Sequence, residues 1–164
     1  MLPAYVNIRD VDRGIREVVV GLNRLPYLVT ISSCEGHVQP GADGLVPWEL
    51  VGGWITLQTN GDYQSSLFIK GLRKFCNKYS FVHFLRYKAT TEEEINGRMV
   101  DKRFRVYGFK FPLGSGKEYS IVTESAEGDK EHVVSSKRSI NGFWQELTAQ
   151  LSGDQLSSSS IAGK

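Results

Sequence analysis

The chain has 164 residues, about one domain's worth on a prior of roughly 100–200 residues per domain. Its apolar fraction of 40% and charged fraction of 23% are ordinary globular values and exclude wholesale disorder. Twenty Lys and Arg against 18 Asp and Glu leave a net charge of +2, too small to announce a nucleic-acid protein, although a local basic patch remains compatible with it.

Two cysteines, Cys34 and Cys76, do not make a disulfide scaffold and suit a reducing, cytoplasmic setting. The first residues, MLPAYVNIRDVDRGIREV, lack the apolar core of a signal peptide. No apolar run approaches the ~20 residues that span a bilayer, so no membrane partner is expected.

In chain order, Val11, Ile15, Val18, Val19, Leu22 and Leu25 recur at helical spacing, predicting a helix from Asp10 or Asp12 to Arg24. An aspartate caps its start and Pro26 stops it. Residues 27–33, YLVTISS, are rich in β-branched side chains and read as a strand buried on both faces. Residues 38–53 carry glycines and prolines and read as a long irregular loop. Strand 54–59 and a turn at Asn60-Gly61-Asp62 lead into a helix over 63–79 with Phe68, Leu72, Phe75 and Tyr79 on its apolar stripe. A third strand covers 81–87. Thr91 and Glu94 fit a capping box, predicting a short helical turn before Gly97. Strands 104–111 and 117–123 form an expected hairpin through the turn at 112–116. The last helix lies within 129–151, with a break expected at Asn141-Gly142.

The Ser-rich end offers little to bury. The expectation is one domain over 1–153 and a disordered tail over 154–164, which could be removed without changing the melting temperature. The fold class is α+β: a two-layer sandwich, about three helices on a sheet of about five mainly antiparallel or mixed strands.

The segment Ser33-Cys34-Glu35-Gly36-His37 is the most informative stretch. A thiol, a carboxylate and an imidazole sit around a turn glycine at the end of a stiff strand. Three readings stand open. Cys34 could be a nucleophile with His37 or His83 as its base and Glu35 as an acid or base. Cys34, Glu35 and His37 could ligate a metal, but C-x-x-H is half a zinc site and no second Cys/His pair has the spacing to complete it, so no metal is expected. Or Cys34 packs as a small apolar residue while Glu35 and His37 cap the turn.

The run Thr30-x-Ser32-Ser33-Cys34-x-Gly36, following an amphipathic helix and preceding Gly53-Trp54, resembles the tRNA wybutosine-synthesising methyltransferase family, whose motif reads Ser-Ser-Cys-Ser-Gly-Arg. The strand around Phe81-Val82-His83-Phe84 falls in a similar order, and the likeness extends over about half the chain. Glu35 and His37 stand where that motif has Ser and Arg. The resemblance implies S-adenosylmethionine as cofactor, RNA as substrate, and Ser32, Ser33, Gly36 and Trp54 on the cofactor side. No Gly-x-Gly-x-x-Gly loop accompanies it.

Elsewhere, Lys70, Arg73, Lys74 and Lys78 line the polar side of the second predicted helix, as a phosphate-binding row or a solvated face. Arg98, Lys102, Arg103 and Arg105 follow Glu92, Glu93 and Glu94, which can pair with them. Trp48 and Trp54 flank the end of the long loop and could stack on a base or anchor the loop. The expectation is a small cytoplasmic enzyme acting on a nucleic acid or nucleotide at the Cys34–His37 turn. The rival is a non-catalytic binding or regulatory module, marked by a buried Cys34 and an exposed apolar patch at Val46, Trp48 and Leu50.

Overall fold

Apolar side chains at helical and strand spacing sort this chain into an α+β fold in its computed structural model, which describes residues 8–87, 92–95, 97–101, 117–153 and 156. Among the described residues there are three α-helices: α1 (Arg16–Asn23), α2 (Tyr63–Cys76) and α3 (Lys130–Ser152). The strands are β1 (Leu28–Cys34), β2 (His37–Pro40), β3 (Trp48–Val51), β4 (Trp54–Thr59), β5 (Val82–Tyr87), β6 (Glu92–Ile95), β7 (Arg98–Asp101), β8 (Lys117–Thr123) and β9 (Ala126–Gly128). They form a four-stranded antiparallel sheet in the order β1-β4-β8-β5, a three-stranded antiparallel sheet in the order β2-β3-β9, and the pair β6-β7. No helix among the described residues is long and apolar enough to cross a membrane.

The helices bury their stripes in one core, α1 against β1, α2 against β5, and α3 against α1 and the smaller sheet. Val18 and Leu22 of α1, Phe68, Leu72 and Phe75 of α2, and Phe143, Trp144 and Leu147 of α3 share one core with Leu28, Ile55, Leu57 and Ile121. Each such side chain contributes about 1.5–3 kcal/mol relative to leaving it in water. A polar latch fixes α1 to β1. Asn23 is buried and donates to the Val19 carbonyl (2.8 Å) and Thr30 Oγ1 (2.6 Å), while Thr30 N–H donates to Asn23 Oδ1 (3.1 Å). The start of α2 is capped by Asp62, whose carboxylate accepts from Ser65 N–H at 2.7 Å.

Several elements differ from their sequence expectation. The first helix begins only at Arg16, after 3₁₀ turns at Ile8–Asp10 and Arg13–Ile15; Asp12 makes no side-chain cap bond there because its carboxylate is used elsewhere. The supposed loop over 38–53 is largely the β2–β3 hairpin: Val38 and Leu50 pair and turn inward, and Gly41 N–H closes the turn on the Pro47 carbonyl at 3.2 Å. β1 lies at one end of the strand order, and Ser32 on it is exposed. Its register slips at Ile31, between Thr30↔Leu57 and Ser32↔Thr56. This bulge inserts one residue and re-aims every side chain after it.

The capping-box turn is replaced by the β6–β7 hairpin, in which Ile95 pairs with Arg98 and Gly97 has φ 76°. Asn-Gly between short strands is a stronger hairpin signal than an isolated capping pair is a helix signal. Strand 104–111, the turn at 112–116, and Lys102, Arg103 and Arg105 lie outside the described residues. β8, its expected hairpin partner, is central between β4 and β5. α3 runs unbroken through Asn141-Gly142, because packing of Ile140, Phe143 and Trp144 outweighs the helix cost of one glycine, about 1 kcal/mol.

Leu156, inside the expected tail, is 3% exposed and belongs to the core cluster. Its carbonyl sits where a Cβ on Gly71 of α2 would stand. The rest of 154–164 lies outside the described residues. Ending the chain at Gly153 is therefore expected to lower the melting temperature, and Leu156→Ala to cost about 2–4 kcal/mol. Gly71→Ala should destabilise the full chain. In the chain ended at Gly153 it should be neutral or stabilising, since Ala is then only a better helix former. Thermal unfolding of the four proteins checks this; an equal effect of Gly71→Ala in both chain lengths would show that Leu156 does not dock on α2.

Candidate functional site

Three backbone segments cross between the two sheets at one corner. β1 passes into β2 through Glu35-Gly36, β3 into β4 through Gly52-Gly53, and β8 into β9 through Glu124-Ser125. The chains run in contact there. A Cβ on Gly53 would lie 2.8 Å from both the Cys34 and Glu35 carbonyl oxygens, and one on Gly36 would lie 3.0 Å from the Val51 carbonyl oxygen. Gly36 also has φ 90°, a conformation that side chains disfavour. Gly53 N–H donates to Thr123 Oγ1 at 2.7 Å, Gly52 N–H to Ser125 Oγ at 3.0 Å, and Thr123 N–H to the Gly53 carbonyl at 2.9 Å.

Glu35 ties this corner to two further segments. Its N–H donates to Asp12 Oδ2 at 3.0 Å, and its own Oε2 accepts from Gly14 N–H at 2.7 Å. Its carbonyl accepts from Lys137 Nζ (3.0 Å) and Trp144 Nε1 (3.2 Å), both on α3. Glu35 thus caps the first turn before α1 from another part of the chain, satisfying a donor that the helix itself cannot.

Around this frame, Asp12, Cys34 and His37 bring a carboxylate oxygen, a sulfur and an imidazole nitrogen to within 4.8 Å of one another. Asp12 Oδ2 lies 3.3 Å from His37 Nε2. Cys34 is buried, Asp12 and Glu35 are half-buried and His37 is exposed. Burial pushes the Cys34 thiol above its ordinary value, and the Asp12 carboxylate adds to this; the Gly36 N–H, which donates to the sulfur, and the Lys137 ammonium act in the opposite sense. Burial holds Lys137 below the usual lysine range, against the pull of Glu35, Cys34 and Asp12. Cys76 is buried in the core, which pushes it up to about 12. Neither thiol is a ready thiolate at neutral pH.

His83 is not brought to this corner. The register Cys34↔Trp54, Trp54↔Val122, Val122↔His83 places Cys34 and His83 on the two outer strands of the four-stranded sheet. Three strand spacings of ~4.8 Å separate them, about 14 Å. His83 Nε2 instead meets Glu124 Oε1 at 2.8 Å. Trp54, opposite Cys34, is 37% exposed, and Ser32 is exposed beside it, while Ser33 is half-buried opposite Ile55. Lys70, Arg73 and Lys74 are exposed on α2, which ends at Cys76 rather than at Tyr79, so Lys78 is exposed in the turn that follows it. Arg73 lies 5.2 Å over the Phe84 ring and Lys78 5.7 Å over Phe75, so half of that row is engaged with the protein's own aromatics. Trp48 carries Lys130 Nζ 4.8 Å over its ring.

The apolar patch that would mark an interaction module is not assembled: Leu50 is 1% exposed and Trp48 half-buried, although Cys34 is buried as that reading requires. Four clefts lie along α1 and α3, and none of these four is lined by Cys34, Glu35 or His37. Sequence reasoning missed Asp12 as a site residue, and with it Lys137, Trp144 and Gly14.

No family model matches the chain, and no curated protein matches it. Among solved structures it is similar to a hypothetical protein from Aeropyrum pernix, at 14% identity over 91% of this chain and 96% of that one, with a TM-score of 0.46. It is also similar to the PH1069 protein of Pyrococcus horikoshii, at 12% identity over 94% of this chain and 85% of that one, with a TM-score of 0.43.

Two outcomes test the corner. Glu35→Ala should cost about 1 kcal/mol, as loss of a helix cap does. Gly53→Ala should cost about 1–3 kcal/mol through overpacking against backbone; chemical denaturation measures both, and a neutral Gly53→Ala would contradict the close crossing. Alkylation by iodoacetamide at pH 7 should be far slower for both thiols in the native protein than in urea. Because the folded Cys34 value is raised above the reference of 9.0, stability is full below that pH and is lost as pH rises through the folded value.

Proposed function

We propose that this chain is a small cytoplasmic group-transfer enzyme acting on RNA or a nucleotide, with S-adenosylmethionine as donor. The donor and substrate classes come from the motif resemblance at Ser32, Ser33, Cys34 and Gly36. The observation that carries the reading is the convergence of Asp12, Cys34 and His37 within 4.8 Å at a corner whose backbone is tied down on every side. Fixed groups of this kind are what positioning a reaction requires.

The burial of Cys34 argues against an attacking thiolate and favours a positioning part in the turn. His37 is the proton acceptor. It is exposed, and Asp12 at Nε2 orients the ring and leaves Nδ1 for a substrate. S-adenosylmethionine, when bound, would supply a methyl group to a substrate nitrogen or oxygen and leave as the thioether, and His37 would take the proton that the substrate atom loses. The motif resemblance assigns Ser32, Ser33, Gly36 and Trp54 to the donor, and Lys70 and Lys74 offer exposed charge for RNA phosphates. Glu35 serves the frame through its bond to Gly14 rather than the reaction.

The test is binding and transfer in the presence of a chelator. S-adenosylmethionine at 100 times its Kd should stabilise the protein by about 2.7 kcal/mol. His37→Ala should retain that shift while methyl transfer to an RNA or nucleotide pool falls by about 10²–10⁴-fold. No thermal shift with millimolar donor and no transfer would reject the enzyme reading in favour of a non-catalytic module.

A further inference from the structure

The Asp12–Cys34–His37 cluster has a second use that needs neither donor nor RNA. C-x-x-H alone is half a zinc site, but the fold brings a third donor, Asp12, from the segment before α1. Zinc bonds of about 2.0–2.3 Å place tetrahedral ligand atoms roughly 3.3–3.7 Å apart. Asp12 Oδ2 and His37 Nε2 already stand 3.3 Å apart, and the remaining separations, none above 4.8 Å, close with small movements of exposed or half-buried side chains.

The surroundings are those of a ligand set. Glu35 N–H fixes the Asp12 oxygen, and Gly36 N–H donates to the Cys34 sulfur, the outer bonds that orient a metal's ligands. With Cys34 ionised, the carboxylates of Asp12 and Glu35 and the thiolate outweigh the Lys137 ammonium by two negative charges, the complement of a divalent cation. Lys137 is itself turned to the Glu35 carbonyl.

We propose that Asp12, Cys34 and His37 form a three-ligand site for a divalent cation of the zinc class, with the fourth position open to water or a substrate oxygen. On binding, the Cys34 thiol gives its proton to solvent as the metal–sulfur bond forms, and His37 ligates as neutral imidazole. Sulfur and nitrogen donors select zinc or cobalt over magnesium and calcium. The site stands independently of the methyl-transfer reading.

The experiment is a titration of chelator-stripped protein with Co²⁺, without donor or RNA. One equivalent should bring up the thiolate-to-cobalt charge-transfer band and the intense visible bands of a four-coordinate site, and Zn²⁺ should abolish both. Cys34→Ser should lose the charge-transfer band. Asp12→Asn and His37→Ala should each weaken binding at least ~10-fold, the lower end of what even an outer partner costs. Lys137→Met should bind more tightly. Cys76→Ser, far from the cluster in the core, should titrate like the parent. Circular dichroism confirms that each variant folds, and His37→Ala, at an exposed position, keeps the test open if a buried variant does not. Absence of thiolate–cobalt absorption at millimolar Co²⁺, or its persistence in Cys34→Ser, would overturn the site. Neither outcome bears on methyl transfer, which is measured with chelator present.

Discussion

Every polar group of Glu35 is engaged in holding chain segments that are distant in sequence. Its N–H meets Asp12, its carboxylate meets Gly14, and its carbonyl receives both Lys137 and Trp144. A carbonyl oxygen has two lone pairs, and here both donors come from α3. Each bond contributes about 0.5–1.5 kcal/mol net, and those involving a charged group more. Their shared consequence is positional. The start of α1, the end of β1 and the middle of α3 cannot shift separately without stranding a half-buried polar group.

This constraint explains why the corner is built of glycines. Once Glu35 is pinned, the β1–β2 crossing lies against the β3–β4 crossing, and Gly36 and Gly53 are the positions at which the two backbones touch. The same pinning delivers Asp12 and His37 to Cys34. Asp12 is held by the amide of Glu35, His37 follows two residues later at the start of β2, and the bulge at Ile31 sets the register with which Cys34 arrives opposite Trp54. A site at the junction of two sheets is thereby held by close backbone crossings and by the bonds that converge on Glu35. The proposed proton transfer and the proposed metal site both depend on that rigidity.

The α+β class, the three helices and the position of the Cys34–His37 turn were legible from periodicity and from the concentration of reactive groups around Gly36. The β2–β3 hairpin was hidden because four-residue strands with prolines at their margins carry too little alternation to stand out. Asp12 was read as a local helix cap, which is what an aspartate before a helix usually is; nothing in its spacing points across to Glu35. Lys137 did leave a signal. Val133, Lys137, Ile140 and Trp144 follow helical spacing, so a charge interrupts an otherwise apolar stripe at the level of the corner. Trp144 was visible as core but not as a hydrogen-bond donor, since its ring carries both properties. The separation of His83 from Cys34 followed from strand order, which one sequence does not reveal.

The most direct test of the pinned corner is native-state amide hydrogen exchange read by NMR at Gly14 and Glu35. Both N–H groups lie outside regular strand and α-helix bonding and owe their protection to the carboxylates of Glu35 and Asp12. Both amides should exchange far more slowly than in an unfolded peptide. Gly14 should lose that protection in Glu35→Ala while core amides of α2, such as Leu72, keep theirs. Exchange of Gly14 and Glu35 at the unfolded-peptide rate in the unmutated protein would contradict the pinned corner.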